Sequence, residues 1–467
     1  MEINILKNPN LNQIQAAFNT LSKQKINPIK LLDENLINNL SPLQFLFLIG
    51  LTSWEGKYFD KNFKFIKKFI KKIDKNNKNL LLTLENYLHN IFLKKYETEK
   101  SYLLFYSFFS EIYETEKRIN IDVSDKCKDI LFFVHSPVFL AHTNPLFYML
   151  AKRNNNNIKI AVASLSENSL FTNELKKIGV DFHLIAGKDL YHKLENLFFL
   201  STSFKTIIWQ SVPVFLGYFS SIRSNVCLWS FKFHPKINSV YKNLSSFTNY
   251  NKTTFFNNST WFNLDVGFDI KNINNKPSIW LDRKFKFGAF CREELINDEN
   301  YWLTVKQILS TNNKMKFHYC GRKKIHDFWC AKLQINYNQI IFLGWLKEPH
   351  EKLKEMSFLL DGYKLGHGYL AYEAMAVGVP ILFPSSRKSY GTLEMFIRKL
   401  ASNSLLKLEL KNYEKFFLTF KNSEEAKSIS KKLSTDQKFN KKYGNYYIKM
   451  LLKYKTNTFE EFYKIIE

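Results

Sequence analysis

Cysteine is scarce in this chain of 467 residues, and the few cysteines do not form a pattern. The five are Cys127, Cys227, Cys291, Cys320 and Cys330. Their number is odd and no two of them form a C-x-x-C pair, which argues against a disulfide framework and favours a reducing compartment, by default the cytoplasm. His318 and His326 lie close to two of the cysteines, but this spacing matches no zinc module, so we expect no metal site.

Long apolar runs are also missing. The segment 45–51 is too short to span a bilayer, and the longer segment 197–218 is interrupted by polar residues and a proline. Residues 1–12 contain Glu2 and several asparagines but no apolar core, so they do not resemble a secretory signal. These absences predict a cytoplasmic protein without transmembrane helices.

The charge is strongly one-sided, with 68 lysines and arginines against 42 acidic residues and a formal net charge of +26. No arginine-rich block alternates with aromatic residues, so the sequence predicts no nucleic-acid module. Most of the lysines are interspersed with asparagines, which is typical of a solvated surface. The excess charge leaves two partners open, an acidic substrate and peripheral contact with an anionic membrane.

The chain divides into four predicted regions. Residues 1–122 have apolar stripes at helical spacing and predict an all-helical domain with a role in interaction. Residues 123–275 and 276–410 each alternate short apolar strands with helices, which predicts two α/β domains with doubly wound parallel sheets. The asparagine-rich part from 241 to 275 is interpreted as a link between them. Residues 411–467 predict charged helices that pack back on this core.

The most informative segment is 358–393, whose sequence pattern is typical of a βαβ unit. A short apolar strand is followed by a loop containing Gly366, His367 and Gly368, and then by a helix that carries Glu373. Backbone N–H groups at the start of such a helix are unpaired and carry the positive end of the helix dipole. The segment therefore predicts a site for an anionic ligand, and a cleft enzyme acting on a nucleotide derivative.

The motifs in this half of the chain resemble the GT-B glycosyltransferases, and most closely glycosyltransferase family 41, which holds the O-GlcNAc transferases and the bacterial cytoplasmic N-glycosyltransferases. The sequence FGAFCR at 287–292 is similar to a strand-end motif of that family. The resemblance implies that Arg292 binds the pyrophosphate of the donor, that His367 contacts the donor phosphate, and that Glu373 binds the ribose hydroxyls. Thr392 and Leu393 match a pair that opens the next helix.

The resemblance also implies a GT-B fold, two Rossmann-like domains facing a cleft, preceded by the helical domain. The expected activity is transfer of a hexose or N-acetylhexosamine from a UDP-sugar to a protein side chain, with inversion and with no cofactor. No convincing Asp-x-Asp pair follows a strand, so we expect no metal at the phosphates. Between His135 and His142, which follow the first strand, His142 is the predicted base or acceptor-orienting residue.

Two alternatives remain open at this stage. One is a GT-B enzyme of capsular or lipid-linked polysaccharide synthesis, and the other is an inactive GT-B-like binding protein. Trp345, Tyr363 and Tyr369 border the glycine loop, but aromatic residues are so frequent in this chain that core packing is the expectation for them. The sequence does not decide the sugar, the acceptor or the oligomeric state.

Overall fold

The structure is a computed structural model, and it describes most of the chain from residue 66 onwards. The described residues are 20, 66–92, 99–113, 129–137, 144–151, 158–210, 212–230, 235–246, 253–256, 259–264, 280–291, 293–346, 349–363, 369–385, 418–453 and 458–467. They form two compact units. The first is Met1–Asp265 with Thr458–Glu467, and the second is Val266–Asn457.

The first unit is built on a mostly parallel sheet. Its described strands are β1 (Ile130–Val134), β2 (Ile160–Ser164), β3 (Asp181–Leu184), β4 (Thr206–Gln210), β5 (Val226–Ser230), β6 (Lys242–Ser245), β7 (Thr253–Phe256) and β8 (Ser259–Asn263). Its described helices are α1 (Lys78–Phe92), α2 (Glu99–Tyr113), α3 (Asn144–Ala151), α4 (Ser169–Lys177), α5 (Leu190–Ser201), α6 (Leu216–Ile222) and α15 (Thr458–Ile466).

The strand order in this sheet is β3-β2-β1-β4-β5-β6-β8-β7. The chain runs outwards from β1 to β3 and then returns to place β4 on the other side of β1, where Phe133 is level with Trp209. The order therefore reverses between β1 and β4, which is where α/β sheets of this kind open a crevice for ligands. Strands β1, β2, β4 and β5 are buried along their whole length, as expected for parallel strands covered on both faces.

Three strands lie where the asparagine-rich sequence was interpreted as a link. Strand β6 continues the parallel sheet beside β5, β8 pairs parallel with β6, and β7 pairs antiparallel with β8. The segment up to residue 264 therefore belongs to the first sheet. Leu244 on β6 is fully buried, and Trp261 on β8 belongs to the same buried cluster as Trp209 of β4, so this edge of the sheet packs into the core of the first unit.

Helices α1 and α2 pack into the core of the first sheet. Leu84 and Leu88 of α1 and Phe109 of α2 belong to the same buried cluster as Trp209 of β4. The backbone of α2 approaches α6 so closely that a Cβ atom at Gly217 would lie 2.7 Å from the Cα atom of Ser110. The described part of the predicted helical domain is thus continuous with the first α/β core.

The second unit has a wholly parallel sheet. Its described strands are β9 (Lys286–Ala289), β10 (Lys316–Tyr319), β11 (Ile340–Phe342), β12 (Phe358–Leu360), β13 (Ile381–Pro384) and β14 (Leu418–Phe420), in the order β11-β10-β9-β12-β13-β14. Its described helices are α7 (Trp280–Arg283), α8 (Glu293–Ile296), α9 (Glu299–Leu309), α10 (His326–Leu333), α11 (Pro349–Leu353), α12 (Tyr369–Ala376), α13 (Ser423–Thr435) and α14 (Gln437–Lys453).

The carboxyl-terminal segment contributes to both units. Strand β14 and helices α13 and α14 complete the second unit, and helix α15 belongs to the first. There Phe462 stacks on Phe132 of β1 with 5.6 Å between the ring centroids, and its ring also lies 6.3 Å from that of Trp229. Within the described residues, no helix combines the length and the apolarity that crossing a membrane requires.

Candidate functional site

The second sheet reverses its strand order between β9 and β12. From β9 the chain builds β10 and β11 on one side, and it then crosses to the other side, where Leu359 is level with Gly288. A reversal of this kind is where α/β sheets bind ligands, at the carboxyl ends of the two strands. Cys291 follows β9 at this place, and Asp361 and Gly362 follow β12.

The start of the loop after β12 is held by hydrogen bonds. The buried carboxylate of Asp361 accepts from the backbone N–H of Gly362 at 2.9 Å, and the hydroxyl of Tyr301 donates to the carbonyl of Leu360 at 3.0 Å. The hydroxyl of Tyr363 lies 2.8 Å from that of Thr304 on α9. The path of the chain into the glycine loop is therefore fixed by groups of α9 and β12.

Glu373 lies on α12, the helix that follows this loop, and its side chain is largely buried. The atom Oε2 has no hydrogen-bond partner among the residues that the structure describes. Burial raises the pKa of this carboxyl from 4.5 to about 7. A buried carboxyl oxygen without a donor is costly, and a carboxyl whose pKa is shifted by burial is a candidate for contact with a ligand. The structure excludes the simpler reading of Glu373 as an exposed carboxylate on a helix surface.

Two glycines fix the position of α12. Gly378, with a φ of 68°, turns the chain after the helix, and this is the left-handed conformation that favours glycine. A Cβ atom at Gly444 of α14 would overlap the carbonyl oxygen of Gly378, and one at Gly378 would lie 2.9 Å from Cδ1 of Ile448. Helix α14 therefore contacts the end of α12 backbone to backbone, and Glu373 is held on a rigid element.

An exposed aromatic and a cation stand at the carboxyl ends of β10 and β11. The guanidinium carbon of Arg322 lies 5.3 Å from the ring centroid of Trp345, and Trp345 is 53 % exposed. The backbone N–H of Arg322 donates to Glu293 at 3.0 Å, and that of Gly321 donates to Gly344 at 3.1 Å. The expectation that Trp345 packs in the core is wrong, because its ring faces solvent under a guanidinium.

His135 marks the corresponding switch point of the first sheet. It follows β1, and its ring lies 5.6 Å from that of Phe215, which precedes α6, and 5.7 Å from that of His89. Burial lowers the pKa of His135 to about 4, so the imidazole is neutral at physiological pH. The ring of His89 is itself fixed, with Nδ1 2.9 Å from the hydroxyl of Tyr106.

Among the residues predicted for the site, Glu373 is the one that the structure describes. The others lie outside the described residues; they are His142, Arg292, Gly366, His367, Gly368, Thr392 and Leu393. Two of these segments continue directly from described strand ends at the switch point, since residue 292 follows Cys291 and residue 364 follows Tyr363. Arg322 was not singled out, and its place after a strand and a glycine was the available signal.

Comparison with known proteins finds no match at the level of sequence but finds similar structures. No protein-family model and no curated protein matches this chain. An O-GlcNAc transferase mutant from Thermobaculum terrenum is similar with a TM-score of 0.55 and 10% identity, over 91% of this chain and 84% of that one. Anabaena HepE, solved with UDP and glucose, is similar with a TM-score of 0.52 and 11% identity, over 72% of this chain and 98% of that one.

A mutant of TarM from S. aureus, solved with Fondaparinux, alpha-GlcNAc-glycerol and UDP, is similar with a TM-score of 0.53 and 9% identity. The match covers 73% of this chain and 100% of that one. At these identities the likeness shows the fold. The predicted α/β fold class is confirmed, because both sheets and their helices match structures of GT-B glycosyltransferases.

Proposed function

We propose that this protein is a glycosyltransferase that moves a hexose or N-acetylhexosamine from a UDP-sugar to an acceptor. The observation that carries the proposal is the carboxyl of Glu373 on the helix that follows β12, in a chain with the GT-B fold: its Oε2 is buried and has no hydrogen-bond partner in the described part of the chain. A nucleotide ribose presents two adjacent hydroxyls, and each can donate to one carboxylate oxygen. This contact would satisfy Oε2 of Glu373, which has no donor among the residues that the structure describes.

Arg322 and Trp345 together form a surface on which the uracil base of the donor could stack. An indole that is half exposed offers one flat apolar face, and a guanidinium at 5.3 Å from its ring gives polarity and positive charge beside it. Stacking of a base on an aromatic ring contributes about 1–3 kcal/mol. Both residues follow parallel strands of the same sheet, so they stand at its carboxyl edge, as does the chain that enters the glycine loop.

The phosphate contacts of the proposal rest on the sequence. Arg292, His367 and the N–H groups of Gly366 and Gly368 would bind the pyrophosphate and offset the charge that develops on UDP as it leaves. In the proposed inverting reaction, a hydroxyl or amide of the acceptor forms a bond to the anomeric carbon while the bond to UDP breaks. His142 would take the proton from the acceptor, and no metal would be needed.

We propose a protein side chain as the acceptor, on the strength of the resemblance to family 41. The second candidate, synthesis of a capsular or lipid-linked polysaccharide, is favoured by exposed lysines on α13 and α14. They are Lys431, Lys432, Lys438, Lys441 and Lys442. This surface would attract anionic lipid through a salt-sensitive contact. Co-sedimentation with anionic vesicles that disappears at high salt would favour the second candidate.

The proposal is tested by turnover. Release of UDP is measured with UDP-glucose, UDP-galactose and UDP-GlcNAc, for the wild type and for His367→Ala, and the intact mass of candidate acceptor proteins is followed in the same reactions. We expect turnover with at least one donor and its loss in the variant. If no donor is turned over and the variant binds UDP as the wild type does, the protein is a binding protein with a GT-B fold.

Glu373→Gln is expected to raise the Kd for UDP about tenfold, because the amide keeps one acceptor for the ribose diol where the carboxylate has two. The wild type should also bind UDP more weakly as the pH falls from 8 to 6, since the carboxyl has a pKa of about 7 and its protonated form accepts less well. Glu373→Gln should remove the part of this pH dependence that comes from the carboxyl and leave the part that comes from the terminal phosphate of UDP. Calorimetric titration measures both effects, with Glu424→Gln on the exposed face of α13 as the control.

Trp345→Ala is expected to lower the affinity for UDP about tenfold and to leave the affinity for inorganic pyrophosphate unchanged, because the indole would contact only the uracil base. Phe328→Ala is the matched control, since Phe328 is 62 % exposed on α10. An equal loss for UDP and pyrophosphate would show that the indole acts through the structure of the phosphate site and is not a base platform.

A further inference from the structure

Strand β11 forms the outer edge of the second sheet, and no strand in the described part of the chain pairs with its far side. On its near side it pairs with β10, where the N–H of Leu343 donates to the carbonyl of Tyr319 at 2.9 Å. Successive residues of a strand turn their backbone groups to opposite sides, so the N–H and the carbonyl of Phe342 point away from β10. An edge of this kind is open to another strand.

This edge lacks the features that keep strand edges from pairing with other chains. The sequence between Lys332 and Lys347 has no charged residue and no proline, although charged residues make up 24% of the chain. Edge strands are commonly protected by a charge or a proline. Strand β3, which forms the outer edge of the first sheet, carries the exposed Asp181. The outer edge of β11 is therefore unprotected, and it can pair with another chain.

Apolar side chains lie along the same edge. Ile341, Phe342 and Leu343 are only partly buried, although strands of a parallel sheet are normally buried on both faces. Tyr337, in the turn that leads into the strand, is 47 % exposed, and its hydroxyl donates to the carbonyl of Asp327 at 2.8 Å. Its ring is thus held in place at the surface. Covering these side chains would stabilise a complex through the hydrophobic effect.

The charge of the chain indicates which partner fits this edge. With a formal net charge of +26, two copies repel each other over most of their surface, so they can meet only where charge is absent. An acidic partner would instead be attracted to the lysines. The cations beside the edge are engaged with their own chain. The ammonium of Lys316 donates to the carbonyl of Asn338, and that of Lys324, near Tyr337, lies 3.0 Å from Asp327.

We propose that a second copy of this chain docks on the outer edge of β11, strand against strand about a two-fold axis. Such an axis makes the two strands antiparallel, so the N–H and the carbonyl of Phe342 can bond to the same groups of the second copy. The two six-stranded sheets then become one, and each Tyr337 is covered. The surface includes neither Trp345 nor Glu373, so dimer formation does not depend on donor binding.

Sedimentation velocity over a dilution series tests the proposal. The wild type should sediment as a dimer at high concentration and as a monomer at low concentration. Added salt should lower the dissociation constant of the dimer, because it screens the repulsion between the copies while the contact itself is uncharged.

Tyr337→Lys should raise this dissociation constant at least about tenfold, because it places a charge from each copy in the contact. Phe199→Lys is the matched control. It adds the same charge in place of an aromatic residue that is 67 % exposed on α5 of the first unit. The melting temperature of each variant shows whether it is folded.

Hydrogen exchange of the segment 340–344 distinguishes a second copy from other covers. Its exchange should slow as the wild-type concentration rises, and it should not do so in Tyr337→Lys. Slow exchange at every concentration would show that the chain itself covers the edge, and would overturn the proposal. The same holds if the wild type stays monomeric, if high salt dissociates the dimer, or if Tyr337→Lys weakens it no more than Phe199→Lys. No readout involves UDP or sugar transfer, so the result is independent of the proposed function.

Discussion

Gly444→Ala should destabilise the second unit by about 2 kcal/mol, which corresponds to a melting temperature about 6 °C lower. Alanine at an interior position of helix α14 would by itself gain about 1 kcal/mol in helix propensity. The new methyl group, however, would overlap the carbonyl oxygen of Gly378, a backbone atom in a turn with a φ of 68° that cannot rotate away. Relieving such an overlap costs about 3 kcal/mol, which outweighs the propensity gain. Thermal unfolding monitored by circular dichroism measures the difference.

Gly344→Ala is the matched control for this substitution. Gly344 has the same φ of 68°, but nothing lies within 4 Å of the position that a Cβ atom would take. Alanine there should lower the stability by only about 1 kcal/mol, because it introduces left-handed backbone strain and no steric overlap. Should Gly444→Ala be no more destabilising than Gly344→Ala, the close contact between α12 and α14 does not hold the position of Glu373.

Stability of the first unit should fall as the pH rises from 5 to 8, and Glu85 is the cause. Its carboxyl is fully buried on α1, where it accepts from the backbone N–H of Phe215 at 2.8 Å and lies 3.4 Å from the hydroxyl of Tyr113. Burial raises its pKa from 4.5 to about 8, against the opposing effect of these hydrogen bonds. The folded state therefore keeps a proton that the unfolded chain releases.

The sign of the effect follows from these two pKa values. The contribution of Glu85 to stability is fully present below pH 4.5 and is lost as the pH rises through 8, by about 5 kcal/mol in all, most of it between pH 5 and pH 8. Glu85→Gln keeps an acceptor for Phe215 and does not titrate. We expect it to match the wild type at pH 5 and to exceed it by about 3 kcal/mol at pH 8. Urea unfolding at the two pH values checks this, and parallel curves for the two proteins would contradict it.

The strands of both sheets were predictable wherever they are apolar throughout. The sequence predicts strands at Lys316–Tyr319 and at Ile130–Val134, and both have these bounds in the structure. The strand predicted at Ser357–Leu360 begins one residue later, at Phe358. Strands β6 and β8 were not predicted, because KNLS and STWFN carry few of the apolar residues by which a buried strand is recognised. Their burial comes from pairing with β5 and with each other, and that pairing involves residues distant in the sequence.

In the site, too, the sequence predicts the secondary structure of a residue but not its tertiary contacts. The helical place of Glu373 could be read from the glycine loop before it and the apolar residues after it. Its unpaired oxygen could not, because that depends on what surrounds the helix. Trp345 was expected in the core and faces solvent, whereas Glu85, an acidic residue on an amphipathic helix, is fully buried. An apolar stripe predicts which face of a helix is buried, but it does not predict whether another element also covers the polar face.

Helix α15 has a consequence for the order of events during synthesis. The ring of Phe462 stacks on Phe132, a residue of the first strand, yet it follows the whole of the second unit in the chain. While the ribosome is still making β9 to β14, Phe132 and Trp229 lack the ring of Phe462 that packs on them in the finished protein. The first unit therefore completes its apolar packing only after the second unit has been synthesised, and a chaperone would engage apolar surface that is exposed until then.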